Sequence, residues 1–218
     1  MSRRRVVITG LGVVSPVGNT VEETWNNVKN GKCGITNITL FDPSRIPVKV
    51  AGEVKDFDIT KYGIDSKATR KMARFSKFCL AASAQAITDS GYTKETLENE
   101  KVGVMMGCCI GGMDATSEAF RRLDDPEAGP KRMPPLTTPL MISNEASANV
   151  SIYYGIKGLS WTLGTACASG TDALGLAVDL VRSGRLNLCI SGGTEAAITE
   201  FSIASFEALQ ALSSHFND

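Results

Sequence analysis

The order of the chain predicts an α/β fold with a mainly parallel sheet covered by helices on both faces. Strand-like apolar runs alternate with helix-like runs, and glycine-rich turns follow the strand-like runs directly. In addition, 43% of the 218 residues are hydrophobic, enough for a sizeable core in one large domain or two small ones.

Arg4 to Thr9 reads as a first strand that opens into Gly10-Leu11-Gly12. A dinucleotide-binding loop would place a third glycine where Ser15 stands, so that reading is set aside. Thr20 and Glu23 have capping-box spacing for a helix through Trp25 and Val28 that stops at Gly31. Residues 33–63 are irregular, with room for one short hairpin. A long helix is expected from about Ser66 to Ser90, stopped by Gly91, with Met72, Phe75, Cys79, Ala82 and Ala86 as its buried stripe. Lys67, Arg70, Arg74 and Lys77 fall on the opposite face and Lys71 on its flank, either as a solvated surface or as a docking stripe for an acidic partner.

Lys101 to Met106 is the next strand and leads into Gly107-Cys108-Cys109-Ile110-Gly111-Gly112, where backbone can approach something closely. No Gly-Lys-Ser/Thr follows, which excludes a P-loop. A helix over Met113 to Leu123, an extended proline-rich loop over Pro126 to Pro139, and a helix over Leu140 to Tyr154 come next. Leu159 to Leu163 and Leu188 to Ser191 read as strands, with a helix between them that ends at Gly184 and a last helical segment holding Phe201, Phe206 and Leu209.

The chemistry centres on Gly164-Thr165-Ala166-Cys167-Ala168-Ser169-Gly170. Cys167 falls between a strand and a helix, near a first helical turn whose free N–H groups and dipole favour an anion. A thiol held there is biased toward the thiolate, the nucleophilic form, although a cysteine among small residues also fits simple core packing. In an α/β fold the carboxyl end of a strand is where active sites sit.

Composition narrows the function classes. Lys plus Arg and Asp plus Glu each number 23, so nothing points to nucleic acid. The six cysteines contain no Cys-x-x-Cys pair and His215 is the single histidine, which disfavours zinc and a cysteine hydrolase and matches a reduced, cytoplasmic setting. Arg3-Arg4-Arg5 precedes too short an apolar run for a secretory signal, and Val102 to Met113 is too short to span a membrane. A soluble cytoplasmic protein is expected.

Arg4-Arg5-Val6-Val7-Ile8-Thr9-Gly10-Leu11-Gly12 with Ser15-Pro16-Val17-Gly18-Asn19 resembles the amino terminus of the elongating β-ketoacyl-acyl-carrier-protein synthases. Thr165-Ala166-Cys167-Ala168-Ser169-Gly170 resembles their nucleophile motif. Gly192-Gly193-Thr194-Glu195, Cys109-Ile110-Gly111-Gly112 and Ala211-Leu212-Ser213 fit in order. The resemblance covers essentially the whole chain. It implies the amino-terminal half of a thiolase-like fold over residues 1–218, with a mainly parallel five-stranded sheet of βαβαβ type carrying insertions. The carboxy-terminal half, with two histidines and a lysine of the active site, lies outside this sequence, and His215 matches no catalytic position.

By the same resemblance, Cys167 takes a fatty acyl group from the phosphopantetheine of an acyl carrier protein and condenses it with a malonyl carrier thioester, releasing CO2. No cofactor or metal is implied. Ile110 and Phe206 resemble positions lining the acyl tunnel, and Lys67, Arg70 and Lys71 match the carrier-docking region. A homodimer is implied, with the proline-rich loop and Leu140 to Ile152 as a contact. Other readings are a non-catalytic, chain-length-factor-like or split-subunit partner, which retention of Cys167 disfavours, and a polyketide-type ketosynthase half.

Overall fold

The computed structural model describes residues 4–98, 101–127 and 129–214. Its centre is a parallel sheet in the order β4-β3-β5, with β3 at Val102–Gly107, β4 at Ser160–Leu163 and β5 at Leu188–Gly193. Val104 of β3 pairs with Ser160 on one side and with Ile190 on the other. Every β3 residue is buried because its alternate side chains enter two layers. Val102, Val104 and Met106 pack with Phe75, Leu80, Ala146 and Val150, whereas Met105 packs with Ala177, Leu180 and Leu186.

The first layer comes from α2 (Arg74–Ser90) and α6 (Glu145–Tyr154), the second from α7 (Ser169–Arg182). Burial of each large side chain here contributes about 1.5–3 kcal/mol. Phe78, Leu80, Ala81, Ala84 and Ile87 are buried along with Phe75 and Cys79, so α2 is enclosed on more than the expected stripe. Ala82 and Ala86 are half-buried against residues 10–12: a Cβ on Gly10 or Gly12 would sit 2.0 or 1.8 Å from the carbonyl oxygen of Ala86 or Ala82.

Around this frame lie α1 (Val21–Lys29), a small antiparallel hairpin of β1 (Thr36–Asn37) and β2 (Val50–Ala51), α3 (Lys94–Glu98), α4 (Met113–Leu123), α5 (Thr137–Met141) and α8 (Glu200–Ala208). The Thr20 hydroxyl accepts the Glu23 N–H at 3.1 Å, and the Glu23 carboxylate accepts the Asn19 N–H at 2.8 Å. The expected capping box is therefore shifted by one residue at its second bond. The hairpin is held by Glu53, which is 2% exposed and accepts from Thr39, Leu40 and Lys55.

The structure departs from the sequence expectations at residues 4–9, at the start of the long helix, and from the proline-rich stretch onward, where α5 begins at Thr137 inside the expected extended loop. Residues 4–9 form no strand among the described residues, and the parallel sheet has three strands rather than five. A groove of about 310 Å³ lies between residues 5–10 and β5, so no ladder closes, and Val7 and Ile8 stay 65% and 80% exposed. The long helix starts at Arg74, not Ser66, because the Ala73 N–H is taken by the Glu145 carboxylate at 3.1 and 3.3 Å while Ala73 is extended. Lys67, Arg70 and Lys71 consequently lie on exposed turns, not a helical stripe. The expected 140–154 helix is broken at Ile142, whose extended backbone separates α5 from α6.

Candidate active site

Cys167 is exposed and lies two residues before α7, at the carboxyl end of the parallel sheet. Its presentation begins one residue earlier, where Ala166 adopts φ 53°, a left-handed conformation costly for a residue with a Cβ. The turn is closed by Ala168 N–H to the Thr165 carbonyl at 3.2 Å and Ser169 N–H to the Ala166 carbonyl at 3.1 Å. The Ser169 hydroxyl accepts the Thr165 N–H at 2.9 Å and donates to the Ala166 carbonyl at 2.6 Å.

The whole turn is pressed onto the sheet through glycines. A Cβ on Gly107 would lie 2.2–2.3 Å from backbone atoms of Ser169 and Gly170, and one on Gly170 would lie 3.3 Å from Gly193 Cα. No other residue type lets the ends of β3 and β5 meet the start of α7 so closely. That start carries no side-chain cap and lies two residues after Cys167, so the positive end of the α7 dipole is near the sulfur, which suits a developing oxyanion.

The glycine-rich loop after β3 has a defined purpose. Glu195 accepts the N–H groups of Cys109, Ile110 and Gly111 at 3.2, 2.8 and 3.2 Å, tying the loop to the segment after β5. Thr194 adds bonds to the Gly107 and Phe75 carbonyls. Burial pushes the Cys79, Cys108 and Cys189 thiols up to about 12, with Glu195 adding to the effect at Cys108, so these three stay protonated. Cys33, Cys109 and Cys167 are the exposed thiols, and Cys167 is the one at the uncapped helix start.

The other sequence-derived candidates are spread more widely. Ile110 is half-buried on the Glu195-bound loop, and Phe206 is 39% exposed on α8. A cavity of about 790 Å³ beside α4 and α8 is lined by Met113, Phe120, Ile198 and Phe201, among others, and by neither Ile110 nor Phe206. Arg74 is not free for docking: it donates to the Val54 carbonyl at 3.1 Å and lies 5.0 Å from the Phe78 ring centroid. His215 lies outside the described residues. Among the described residues no cluster of His, Cys, Asp and Glu could hold a metal ion, and no helix is long and apolar enough to cross a membrane.

Sequence reasoning missed the roles of Ser169 and Glu145. Ser169 lies within the motif around Cys167, but its hydroxyl partners follow only from the left-handed turn. Glu145 gave no local signal, since its partner Ala73 is 72 positions away.

Residues 3–218 match the family described as Beta-ketoacyl synthase, N-terminal domain. The chain is 41% identical over 218 residues to a 3-oxoacyl-[acyl-carrier-protein] synthase 2 of Synechocystis sp., covering 100% of this chain and 52% of that protein. It is 41% identical over 212 residues to the protein of the same description in Staphylococcus aureus, covering 97% and 50% respectively. The chain thus spans about half the length of the curated relatives it matches. A solved ishigamide ketosynthase/chain length factor superposes with TM-score 0.89 at 27% identity, covering 97% of this chain and 52% of that one. A type II polyketide ketosynthase, bound to a hexaketide and in complex with its acyl-carrier protein, superposes with TM-score 0.83 at 30% identity, covering 98% and 51%.

Proposed function

The chain belongs to the β-ketoacyl synthase family through its amino-terminal domain, and from that premise we propose that it is the nucleophile-bearing half of a 3-oxoacyl-[acyl-carrier-protein] synthase of fatty acid elongation. The observation that carries this reading is Cys167, exposed on a left-handed turn at an uncapped helix start.

In the first step the Cys167 thiolate attacks the carbonyl carbon of an acyl thioester on the carrier's phosphopantetheine. The new C–S bond forms, the old one breaks, and the carrier sulfur leaves as a thiolate that takes up the proton Cys167 gave up on ionising. The Cys167 N–H and the dipole of α7 stabilise the oxyanion of the tetrahedral intermediate. In the second step the malonyl thioester loses CO2, its α-carbon attacks the acyl carbonyl, and the Cys167 sulfur is released. The resemblance assigns that step to two histidines and a lysine of the second half, so residues 1–218 alone are expected to acylate without condensing. No cofactor of the protein itself takes part.

Lys67, Arg70 and Lys71 are the proposed docking residues for the acidic carrier, a reading their exposure supports. Ile110 and Phe206 are proposed to line the acyl chain's path. Homodimerisation is proposed along the β4 edge and α6, where Trp161 and Ile152 are 41% and 75% exposed, with the proline-rich loop as a further contact. Work in the cytoplasm fits the free cysteines. Retention of Cys167 favours the enzyme over a chain-length-factor-like subunit, and 41% identity to the 3-oxoacyl-[acyl-carrier-protein] synthases against 30% to the type II polyketide ketosynthase favours fatty acid synthesis.

The test is incubation with acyl carrier protein charged with a fatty acyl group, followed by peptide mass spectrometry. A stoichiometric acyl adduct at Cys167, lost in Cys167→Ser, is expected; acylation elsewhere or none contradicts the reading.

A further inference from the structure

We propose that Ser169 is a positioning residue, whose hydroxyl holds the left-handed turn that presents Cys167 to an incoming thioester; this rests on Cys167 being the nucleophile. Ser169 is 4% exposed, and its hydroxyl is bonded to backbone atoms. Both its bonds go to the two residues immediately before the cysteine: it accepts from the Thr165 N–H at 2.9 Å and donates to the Ala166 carbonyl at 2.6 Å. A serine at a helix start ordinarily satisfies the N–H groups of its own first turn. Here the cap position is Ala168 with no side-chain bond, and the hydroxyl is turned back toward the strand. Ala166, at φ 53°, needs that support, since an alanine released from it relaxes toward negative φ and carries the next residue with it. The other side of the turn cannot yield, because Gly107 already lies against the Ser169 and Gly170 backbone.

The experiment compares wild type, Ser169→Ala and the double variant Ser169→Ala/Ala166→Gly in the full chain. Two rates are read at Cys167: acylation by acyl carrier protein thioester and alkylation by iodoacetamide. Ser169→Ala is expected to lower the maximal acylation rate about 10- to 100-fold, with the half-saturating carrier concentration unchanged, since misplacement by about 1 Å has that effect. Glycine at 166 takes the left-handed backbone freely, so the double variant is expected to recover much of the loss. Wild-type rates in Ser169→Ala, or a folded double variant no faster than the single one, would overturn the proposal. If Ser169→Ala does not fold, Ser169→Cys fills the same space with a weaker hydrogen-bonding group; it is expected to be slow, and wild-type speed overturns the assignment. Failure of wild type to acylate at all would instead count against the enzyme reading, and the alkylation rates would still decide the role of Ser169.

Discussion

The shoulder that carries Cys167 and the flank formed by residues 4–19 with α1 are both rich in apolar side chains, yet they are held by different forces. On the shoulder, backbone meets backbone: Gly107 lies against Ser169 and Gly170, and β3 is buried along its whole length. On the flank, α1 buries no residue, and Trp25 and Val28 are 64% and 54% exposed. Residues 10–12 of the flank also meet backbone, at the Ala82 and Ala86 carbonyls, but beyond them the flank is fastened by polar bonds. Gln85 donates to the Val13 carbonyl at 2.7 Å, Tyr62 to the Asn19 carbonyl at 2.9 Å, and Asn19 to the Lys55 carbonyl of the Glu53-held hairpin at 2.8 Å. The candidate site sits where packing is tight, and an apolar residue in the sequence does not by itself say that a neighbour covers it.

The contrast can be broken by mutation. Phe75, fully buried in the layer behind β3, is expected to cost about 3–5 kcal/mol when replaced by alanine, measured by denaturant unfolding. A loss below about 1 kcal/mol would mean that the shoulder is not the rigid part.

The polar side is expected to fail in acid. Burial raises the Glu53 pKa, but bonds from Lys55, Thr39 and Leu40 outweigh it and hold the group at about 2, below its ordinary 4.5. A depressed carboxylate stabilises the fold fully above its unfolded pKa, and that support is lost as pH falls from about 4.5 through about 2. The ceiling is about 3 kcal/mol, at about 1.4 kcal/mol per pKa unit. Stability measured against pH is expected to fall over that window, and Glu53→Gln to flatten the fall. An unchanged profile in the variant would remove Glu53 from the account.

Gly107→Ala is expected to cost about 1–3 kcal/mol through overpacking and to slow labelling of Cys167 as the turn shifts. Normal labelling would show that the close approach does not set the site. The smallest effect is expected at Trp25→Ala, within about 0.5 kcal/mol, because so much of the ring already faces water. A loss of several kcal/mol would show the flank to be covered.

Much of this was legible in the residues. The strands at 102–107, 160–163 and 188–193 and the helix after Cys167 follow the apolar pattern closely. Residues 4–9 have the same pattern and form no strand, because a ladder requires a neighbour within bonding distance and local sequence does not report one. The start of α2 was misplaced for a similar reason: helical periodicity continues upstream of Arg74, and the Glu145 carboxylate that captures Ala73 N–H comes from a distant helix. The motif around Cys167 marks the proposed nucleophile, whereas the role proposed for Ser169 depends on the positive φ at Ala166, which glycine would have advertised and alanine conceals.

The central claim is that the turn before α7, and not mere exposure, singles out Cys167. Iodoacetamide labelling of the native chain, followed residue by residue with mass spectrometry, tests it directly. The account predicts that Cys167 reacts first and to completion, ahead of exposed Cys33 and Cys109, while Cys79, Cys108 and Cys189 remain unlabelled. Faster reaction at Cys33 or Cys109, or an unreactive Cys167, would contradict it.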